Sequence, residues 1–395
     1  MSALKGGKGK SQKACFGTLP ACPQKYLKLK GFIGETCSFE SIWLLRKTAV
    51  RSNLPSTRAA PLLSERHKGG SSFFGPAVDR YPKPHLSFAD QLKLLIDRGM
   101  EVTDPAMAAD YLERIGYYRL GAYWYSLREW DKDHPGVRSE HFVEGSRFQD
   151  VVDLYVFDKR LRLLLFDMVE RIEVAVRVDV AYLLGEKDRF AQTNASLFDS
   201  RFAKKPAGSL EKTKHEKWLL KYDKAIADSR EVFVTEFKKK YDLPLPIWIS
   251  KELWDFGMLS TLYAGMLVPD KQKIAGIYGI PDWRVMQSWL WTLSVSRNVM
   301  AHHARLWNSN LVAQPRLPTV GSLPSFDHLV GDTRVIARVY VVLCIMIHFL
   351  GIICPRSSWK KRLRQHLETL PKMPLVSLAD MGFPSGWQDQ ALWKR

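Results

Sequence analysis

Residues 148–185 form the longest stretch of the chain in which apolar side chains recur at helical spacing without a helix breaker. Gly185 follows as a residue type that commonly ends a helix. Lys and Arg side chains occupy intervening positions, as on the solvent side of a packed helix. A helix this long must bury its apolar stripe against other helices, so the stretch predicts a helical bundle. The stripe consists of Val152, Tyr155, Val156, Leu163, Phe166, Val169, Ile172 and Val176.

Helix signals recur along the rest of the chain from residue 87 onward. Ser87 and Asp90 match an N-terminal capping box, and Asp104-Pro105 places a proline in a first helical turn. Residues 200–242 predict a charged connection plus one helix. No alternation of apolar and polar residues is long enough to predict a sheet, so the expected fold class is all-α. Further helices are predicted at about 250–267, 270–277, 282–306 and 332–353.

Positive charge is concentrated at the start of the chain. The net charge is +18, and residues 1–80 contribute +10 of it, with 14 Lys and Arg against 4 Asp and Glu. These residues are rich in Gly, Ser, Lys and Pro and show no helical or strand period. We therefore expect a disordered basic tail or a mis-assigned start of the reading frame. A basic arm that touches RNA is the alternative, because positive charge attracts nucleic acid and anionic lipid alike.

Two further features bear on the compartment and the class of protein. The five cysteines form no C-x-x-C pair, which argues against a disulfide scaffold or a zinc site and suits a reducing cytosol. Residues 339–354 are almost continuously apolar, but the run is shorter than the roughly 20 residues that a membrane-spanning helix needs. We expect a buried bundle helix there, with a membrane span as the alternative, and no signal peptide is evident.

The least expected polar residues of the chain lie at positions 297–303, with the sequence RNVMAHH. They follow an apolar, tryptophan-rich run in which a buried helix is expected, and an unbonded polar group costs roughly 2–7 kcal/mol to bury. Arginine matches a phosphodiester with a planar fork of donors, and histidine moves protons near neutral pH. The pattern favours a phosphate-binding cleft or subunit interface. A hydrogen-bonded core pair near a helix end is the alternative.

Helical spacing predicts which of these side chains share a face. At about 100° per residue, Asn298, His302 and Arg305 align on one face, and Trp291 belongs to it as well. Arg297 lies about 140° from His302, so one ideal helix does not bring both side chains to a single phosphate. Facing motifs in a twofold dimer would place two His and two Arg around one groove, which predicts a homodimer.

The stretch RNVMAHHARLWN at 297–308 resembles the Abi-like abortive infection family of the AbiD/AbiF type, within the HEPN superfamily. A short Arg…His spacing alone is common by chance. The resemblance is specific because further matching stretches follow one another in order between about residues 81 and 310. These are Lys83-Pro84-His85-Leu86-Ser87, Gln91-Leu92, Arg98-Gly99, Ile115-Gly116-Tyr117-Tyr118-Arg119-Leu120, Phe157-Asp158-Lys159-Arg160-Leu161-Arg162, Arg171-Ile172-Glu173 with Arg177, Pro246-Ile247-Trp248 and Phe256-Gly257-Met258-Leu259-Ser260.

The resemblance implies an antiphage or toxin-like endoribonuclease that uses no metal or other cofactor. The ribose 2′-OH would attack the adjacent phosphorus, leaving 2′,3′-cyclic phosphate and 5′-OH ends. His302 would be the general base or acid, Arg297 would neutralise charge on the phosphoryl oxygens, and Asn298 would position the phosphate or the histidine. The sequence has no H-x-x-x-H or H-E-x-x-H pattern, which argues against a metal hydrolase. It has no Gly-rich phosphate loop of the G-x-x-x-x-G-K type, which argues against an NTPase. A non-catalytic HEPN module that binds RNA or protein in phage defence is the alternative.

Five further residues are predicted to bind RNA or support the site: His303, Arg305, Arg177, Glu173 and Arg171. His303 is a second proton carrier or a structural neighbour. Arg305 holds the RNA backbone or pairs with an acid such as Glu173. Glu173 and Arg177 form either an exposed ion pair or one packed beside the Arg/His site. The aromatic residues within 117–130 form a core wedge between helices or a surface on which bases stack.

Composition and resemblance together divide the chain into four regions. Residues 1–80 are the basic tail, and residues 81–145 are an N-terminal helical region of the Abi-like family. Residues 146–356 are a HEPN-like bundle that carries the Arg-x4-His motif, and residues 357–395 are a basic C-terminal tail. The expected partners are RNA, a second copy of the chain, and an antitoxin or regulatory RNA, in the cytoplasm of a bacterium.

Overall fold

The computed structural model describes residues 83–205, 208 and 210–394, which belong to one structural unit. Most of these residues are helical, so the predicted fold class is confirmed. The predicted tail at residues 1–80 lies outside the described residues. Helices of the first half are α1 (Phe88–Asp97), α2 (Pro105–Ile115), α3 (Tyr117–Trp124), α4 (Phe148–Gly185), α5 (Ser200–Ala203), α6 (Lys214–Asp228) and α7 (Val232–Lys240).

The second half continues the bundle with seven helices among the described residues. Short 3₁₀ turns occur in both halves. The helices are α8 (Ile247–Ser250), α9 (Phe256–Gly265), α10 (Val268–Ile277), α11 (Trp283–Ala301), α12 (Thr333–Ile336), α13 (Val339–Ile353) and α14 (Trp359–Leu367). The 3₁₀ turns are Tyr125–Leu127, Ala191–Thr193, Ala195–Leu197, Lys251–Leu253, Pro324–Leu329, Leu378–Met381 and Trp387–Asp389.

Helix α4 is the organising element of the bundle, and its bounds confirm the helix predicted at 148–185. It contacts α3, α8, α9, α10, α11, α13 and α14, so apolar side chains are buried on several of its sides rather than along one stripe. Val152, Val169, Ile172 and Val176 are buried as predicted, but Leu163 is 61% exposed. Leu154, Leu161 and Leu165 are buried instead, because the helices packed around α4 cover those positions.

The first two helices begin where the sequence predicts. Ser87 caps α1 and its hydroxyl oxygen accepts a hydrogen bond from the backbone N–H of Asp90 at 3.1 Å. Asp104 caps α2 through the N–H of Met107 at 2.9 Å, with Pro105 in the first turn. These local signals therefore set the entry of the chain into the bundle.

The apolar run at 339–354 forms α13, which packs along α4 and has eleven buried side chains in 15 residues. Within the residues that the structure describes, no helix is long and apolar enough to cross a bilayer. The single helix predicted at 332–353 is divided into α12 and α13. Arg338 has an extended backbone between them (φ −123°, ψ 171°), because its guanidinium donates a hydrogen bond to the Asn308 carbonyl.

Two expectations about the middle of the chain are wrong. Strand β1 (Arg128–Trp130) pairs antiparallel with β2 (Arg138–Phe142), so a small hairpin exists where no sheet was predicted. The strands have three and five residues, which is too short for an apolar period to be visible. Residues 200–242 contain α5, α6 and α7 rather than one helix, because Trp218, Tyr222 and Ile226 of α6 enter the core between charged neighbours.

The segment predicted as a basic C-terminal tail is part of the helical unit. Helix α14 contacts α4, and its Trp359, Leu363 and Leu367 are buried. Trp393, near the end of the chain, is fully buried against Tyr340 of α13, with the ring planes 9° apart. The basic side chains lie on the outer side of an amphipathic helix, which the charge count alone conceals.

Candidate active site

Helix α11 ends earlier than the sequence predicts, at Ala301 rather than near residue 306. His302 is the C-cap, and His303 adopts a left-handed conformation with φ 57°. The His303 N–H donates to the Met300 carbonyl at 3.0 Å, and the Ala304 N–H donates to the Val299 carbonyl at 3.1 Å. This pair of bonds is a Schellman motif with a histidine at the position usually held by glycine. The chain therefore turns sharply within the Arg/His motif.

The motif is not buried, contrary to the expectation from its apolar surroundings. Asn298, His302 and His303 are exposed, and Arg297 is half-buried. Trp291 is 55% exposed, so the predicted shared face of Trp291, Asn298 and His302 exists and is turned to solvent. A sealed core pair is excluded for this conformation, because water reaches both imidazoles.

Arg297 lies beside a partly buried ion pair on α4. Its Nη1 donates to Asn298 Oδ1 at 3.3 Å. Glu173 accepts from Arg177, with side chains only 12% and 13% exposed, so this pair is packed rather than exposed. Burial raises the pKa of Glu173. The Arg177 and Arg297 guanidinium groups oppose that rise, whereas the Asp255 carboxylate adds to it. Charged groups of α4, the N-cap of α9 and the end of α11 therefore act electrostatically on Glu173.

The loop after α11 is held by arginines from distant parts of the chain. Arg119 Nη1 donates to the His303 carbonyl at 3.0 Å, and Arg162 Nη1 donates to the Ala304 carbonyl at 3.3 Å. Arg338 donates to the Asn308 carbonyl, and the loop's own Arg305 donates to the Ala122 carbonyl. The loop backbone is therefore fixed at four points, although it has no regular secondary structure.

Asp158 is the buried anchor of this loop and a residue that sequence reasoning missed. It is fully buried and accepts the backbone N–H groups of Leu306 at 3.1 Å and Trp307 at 2.9 Å. The Tyr123 hydroxyl donates to it at 2.7 Å, and Arg162 forms an ion pair with it. Burial raises the pKa of Asp158, and the Arg162 guanidinium and these hydrogen bonds oppose that rise. The sequence signal that could have identified it is an acidic and a basic residue, Asp158 and Arg162, four positions apart within an apolar stripe.

Two of the predicted supporting residues lie outside the cluster around Arg297. Arg305 is half-buried beside Tyr123 and Asp158 and does not pair with Glu173. Arg171 pairs with Asp167 at 3.0 Å and contacts Cys354, because two residues along α4 rotate it about 200° from Glu173. Of the five supporting residues, the structure brings Glu173 and Arg177 to Arg297 and places His303 next to His302.

The aromatic cluster predicted at 117–130 is divided between core and surface. Tyr123 and Trp124 are buried among α3, α4 and the following turn, as a core wedge would be. Tyr118, Tyr125 and Trp130 are more than half exposed. Arg138 already covers one face of Trp130 at 3.7 Å from the ring centroid. The core wedge is therefore confirmed for the buried members, and a base-stacking surface stays a prediction for the exposed ones.

A family model described as Abi-like protein matches residues 110–308, about half of the chain. The match begins within α2 and ends at the loop that Arg338 and Asp158 hold. The chain therefore belongs to the Abi-like protein family. No curated protein and no solved structure matches the chain.

Proposed function

We propose that the protein is an endoribonuclease of phage defence or of toxin type, which cleaves RNA without a metal ion. The ribose 2′-oxygen attacks the adjacent phosphorus while its proton passes to a histidine. The bond from phosphorus to the 5′-oxygen then breaks, and that oxygen takes a proton from a second acid. The products are a 2′,3′-cyclic phosphate and a 5′-OH, so atoms and protons balance.

The roles follow from the chemistry of the side chains at the end of α11. His302 accepts or donates the proton, because an imidazole exchanges protons near neutral pH. Arg297 neutralises the charge that develops on the phosphoryl oxygens, and Asn298 orients it through the bond to its Oδ1. The Glu173 carboxylate, which is paired with Arg177, also attracts the Arg297 guanidinium.

A second copy of the chain would complete the reaction. One His302 cannot act as both base and acid in the same step, and His302 of the partner subunit supplies the missing proton carrier. The exposed C-terminal end of α11, with Asn298 and His302, is the surface through which two motifs would approach each other about a twofold axis.

One observation carries the proposal: Asn298 and His302 are exposed beside half-buried Arg297, at the start of a loop whose carbonyls are fixed by arginines. Polar side chains held on a rigid backbone lose little freedom when a phosphate binds, which is what catalysis by positioning requires. A histidine with left-handed backbone geometry within this turn is the kind of strain that functional sites retain.

The test is cleavage of labelled RNA by purified protein in EDTA, with end analysis of the products. We expect cyclic phosphate and 5′-OH ends from the parent. His302→Ala should lower the rate about a hundred- to ten-thousand-fold, the usual loss for a proton-transfer group. Arg297→Ala should lower it as well. His141→Ala and Arg334→Ala serve as matched controls, because both side chains are exposed elsewhere on the surface.

Three outcomes contradict the proposal. Cleavage by His302→Ala at the parental rate would remove the histidine from the chemistry. Cleavage that stops in EDTA would exclude the metal-free reaction. RNA binding that Arg297→Ala weakens, with no cleavage by the protein in vitro or after controlled expression in cells, would select the non-catalytic module instead.

A further inference from the structure

A cavity of about 680 Å³ lies along the N-terminal half of α11, away from the Arg/His motif. Helices α5, α9, α10 and α11, the first residue of α6 and the loop around Arg316 form its walls. A cavity of this size accommodates a ligand as large as a nucleotide. The side chains that line it include Asp199, Arg201, Lys214, Lys271, Trp291 and Arg316.

The lining of the cavity is strongly cationic. Five Lys and Arg side chains line it against one carboxylate, that of Asp199. Asp199 is bound to Arg201 at 3.1 Å and also attracts Lys271, so one carboxylate is shared between two of the five cations. Among the described residues, no acid lies within ion-pair distance of Lys214 or Arg316. Such a lining attracts an anion.

Lys271 is a buried cation that lacks a carboxylate partner within the described part of the chain. It is 2% exposed, and its Nζ donates to the Ala264 carbonyl at 3.2 Å. The same ammonium lies 3.8 Å from the centroid of the Trp283 ring. An ammonium has three donors, and a buried charge is costly unless it is paired. A phosphate oxygen in the cavity would supply the missing charge.

The two tryptophans of the cavity differ in what covers them. Trp283 has Lys271 near its ring and Arg284 at 4.7 Å from its centroid, so cations already occupy its surroundings. Trp291 is 55% exposed, and no aromatic or cationic partner lies over it among the described residues. Trp291 is therefore the ring on which a planar base can stack.

The cavity and the candidate active site lie along the same helix, α11. Arg284, Trp291 and Asn298 follow one another at intervals of seven residues, which places them on one face of α11. Seven residues correspond to about 10 Å of helix, and the eleven residues from Trp291 to His302 to about 16 Å. A single-stranded RNA segment of a few nucleotides would reach from the cavity to the motif.

We propose that this cavity binds a nucleotide, with the phosphate held by Lys271, Lys214 and Arg316 and the base stacked on Trp291. The chemistry is that of a phosphorylated nucleoside, which can be one unit of an RNA chain or a free nucleotide. If the ligand is one unit of an RNA chain, the cavity would hold the strand so that a nearby phosphodiester linkage lies at His302. That arm rests on the proposed nuclease function, whereas nucleotide binding itself does not.

The experiment uses full-length protein carrying His302→Ala, which keeps RNA intact if the protein is a nuclease. A fluorescein-labelled oligoribonucleotide is titrated by anisotropy, and AMP and inorganic phosphate are titrated by calorimetry. Trp291→Ala should weaken nucleotide binding by roughly five- to a hundred-fold, as expected for loss of one stacked base, and Trp291→Phe should restore most of it. Arg316→Ala should lower the slope of log affinity against log salt by about 1.

Two matched controls separate the cavity from general surface effects. Trp248→Ala removes a tryptophan of similar exposure, 52%, outside the cavity, and Arg334→Ala removes an exposed arginine. Neither should change the affinity. Thermal melts of each variant exclude loss of folding as the cause.

The outcomes separate this proposal from the nuclease. Binding of AMP that depends on Trp291, without binding of the oligoribonucleotide, identifies a free nucleotide as the ligand. Trp291-dependent binding of the oligoribonucleotide supports the RNA arm even if the parental protein never cleaves. Affinities for both ligands that are unchanged by Trp291→Ala and Arg316→Ala overturn the proposal, whatever the cleavage assay shows. Inorganic phosphate that binds as tightly as AMP overturns it as well, because no base is then recognised.

Discussion

His303 sets the local geometry of the candidate site through its backbone rather than its side chain. Its φ of 57° lies in the left-handed region, where a residue with a Cβ pays about 1–2 kcal/mol. The Schellman bonds of His303 and Ala304, together with Arg119 on the His303 carbonyl, hold it there. The cost is thus offset by contacts that also fix His302.

Replacing His303 by glycine should raise the free energy of unfolding by about 1 kcal/mol, because glycine adopts positive φ without strain. His302→Gly is the matched comparison and should bring no gain, since His302 has φ −84°. Urea denaturation measures both. A glycine at 303 that lowers stability would contradict the strain argument. RNA cleavage by the same variant decides between the two roles predicted for His303, since a structural residue leaves the rate unchanged.

Asp158 is the second residue whose replacement is informative. Asp158→Asn removes the charge that neutralises buried Arg162 and one acceptor of the loop N–H groups. Breaking a buried ion pair costs about 3–5 kcal/mol, so we expect a loss of that order in chemical denaturation. Tyr123→Phe keeps both charges but deletes the 2.7 Å hydrogen bond to Asp158 and the 3.3 Å hydrogen bond that the Tyr123 hydroxyl accepts from Arg162, and should cost about 1.5–3 kcal/mol. Equal losses in the two variants would show that the charge has no special role.

At the scale of helices, the contact between α9 and α5 positions one wall of the nucleotide cavity. Gly265 is the last residue of α9, and its carbonyl accepts the Asp199 N–H at 2.8 Å. A Cβ at Gly265 would lie 2.4 Å from the Phe202 ring, which lines the cavity. Only glycine therefore fits at this position, because the Phe202 ring lies too close to the backbone for a Cβ.

Gly265→Ala should lower the free energy of unfolding by about 1–3 kcal/mol, the usual cost of overpacking a core. Gly276→Ala is the matched control. Gly276 is a helical residue of α10, and a Cβ there meets nothing within 4 Å. It should raise stability by about 0.5–1 kcal/mol, because alanine is the better helix former. Thermal unfolding followed by circular dichroism compares the two, and equal effects would refute the close-approach argument.

The helices could be predicted because each depends on local signals. Helix α4 follows from its apolar spacing, and α1 follows from the Ser87 cap. The end of α11 could not be predicted, because His303 occupies a position where glycine is the recognisable signal. The loop that follows depends on Asp158, 148 residues before Leu306 in sequence. The cavity was missed for the same reason, since its five cations come from five separated elements.

On the scale of the whole molecule, half-buried His348 and buried His366 join the C-terminal helices to the rest of the bundle. His348 of α13 donates from Nε2 to the Tyr278 carbonyl at 2.8 Å. His366 of α14 donates from Nε2 to the Phe157 carbonyl of α4 at 3.0 Å and stacks on the Phe157 ring. Burial lowers the pKa of both imidazoles below the ordinary value of 6.5, and the carbonyl hydrogen bonds oppose that shift.

A lowered pKa makes the stability of the bundle depend on pH with a definite sign. The unfolded chain takes up protons on His348 and His366 near pH 6.5, whereas the folded protein does so only at lower pH. Their contribution is therefore complete above pH 6.5 and is lost as the pH falls towards the folded-state values. Each histidine can steepen the fall by up to about 1.4 kcal/mol per pH unit.

Urea denaturation at several values between about pH 7.5 and 5.5 should give a flatter profile for His348→Gln and His366→Gln than for the parent. His141→Gln replaces an exposed histidine and should keep the parental slope. A parental stability that rises on acidification through this range would mean that neither imidazole is held neutral in the folded protein.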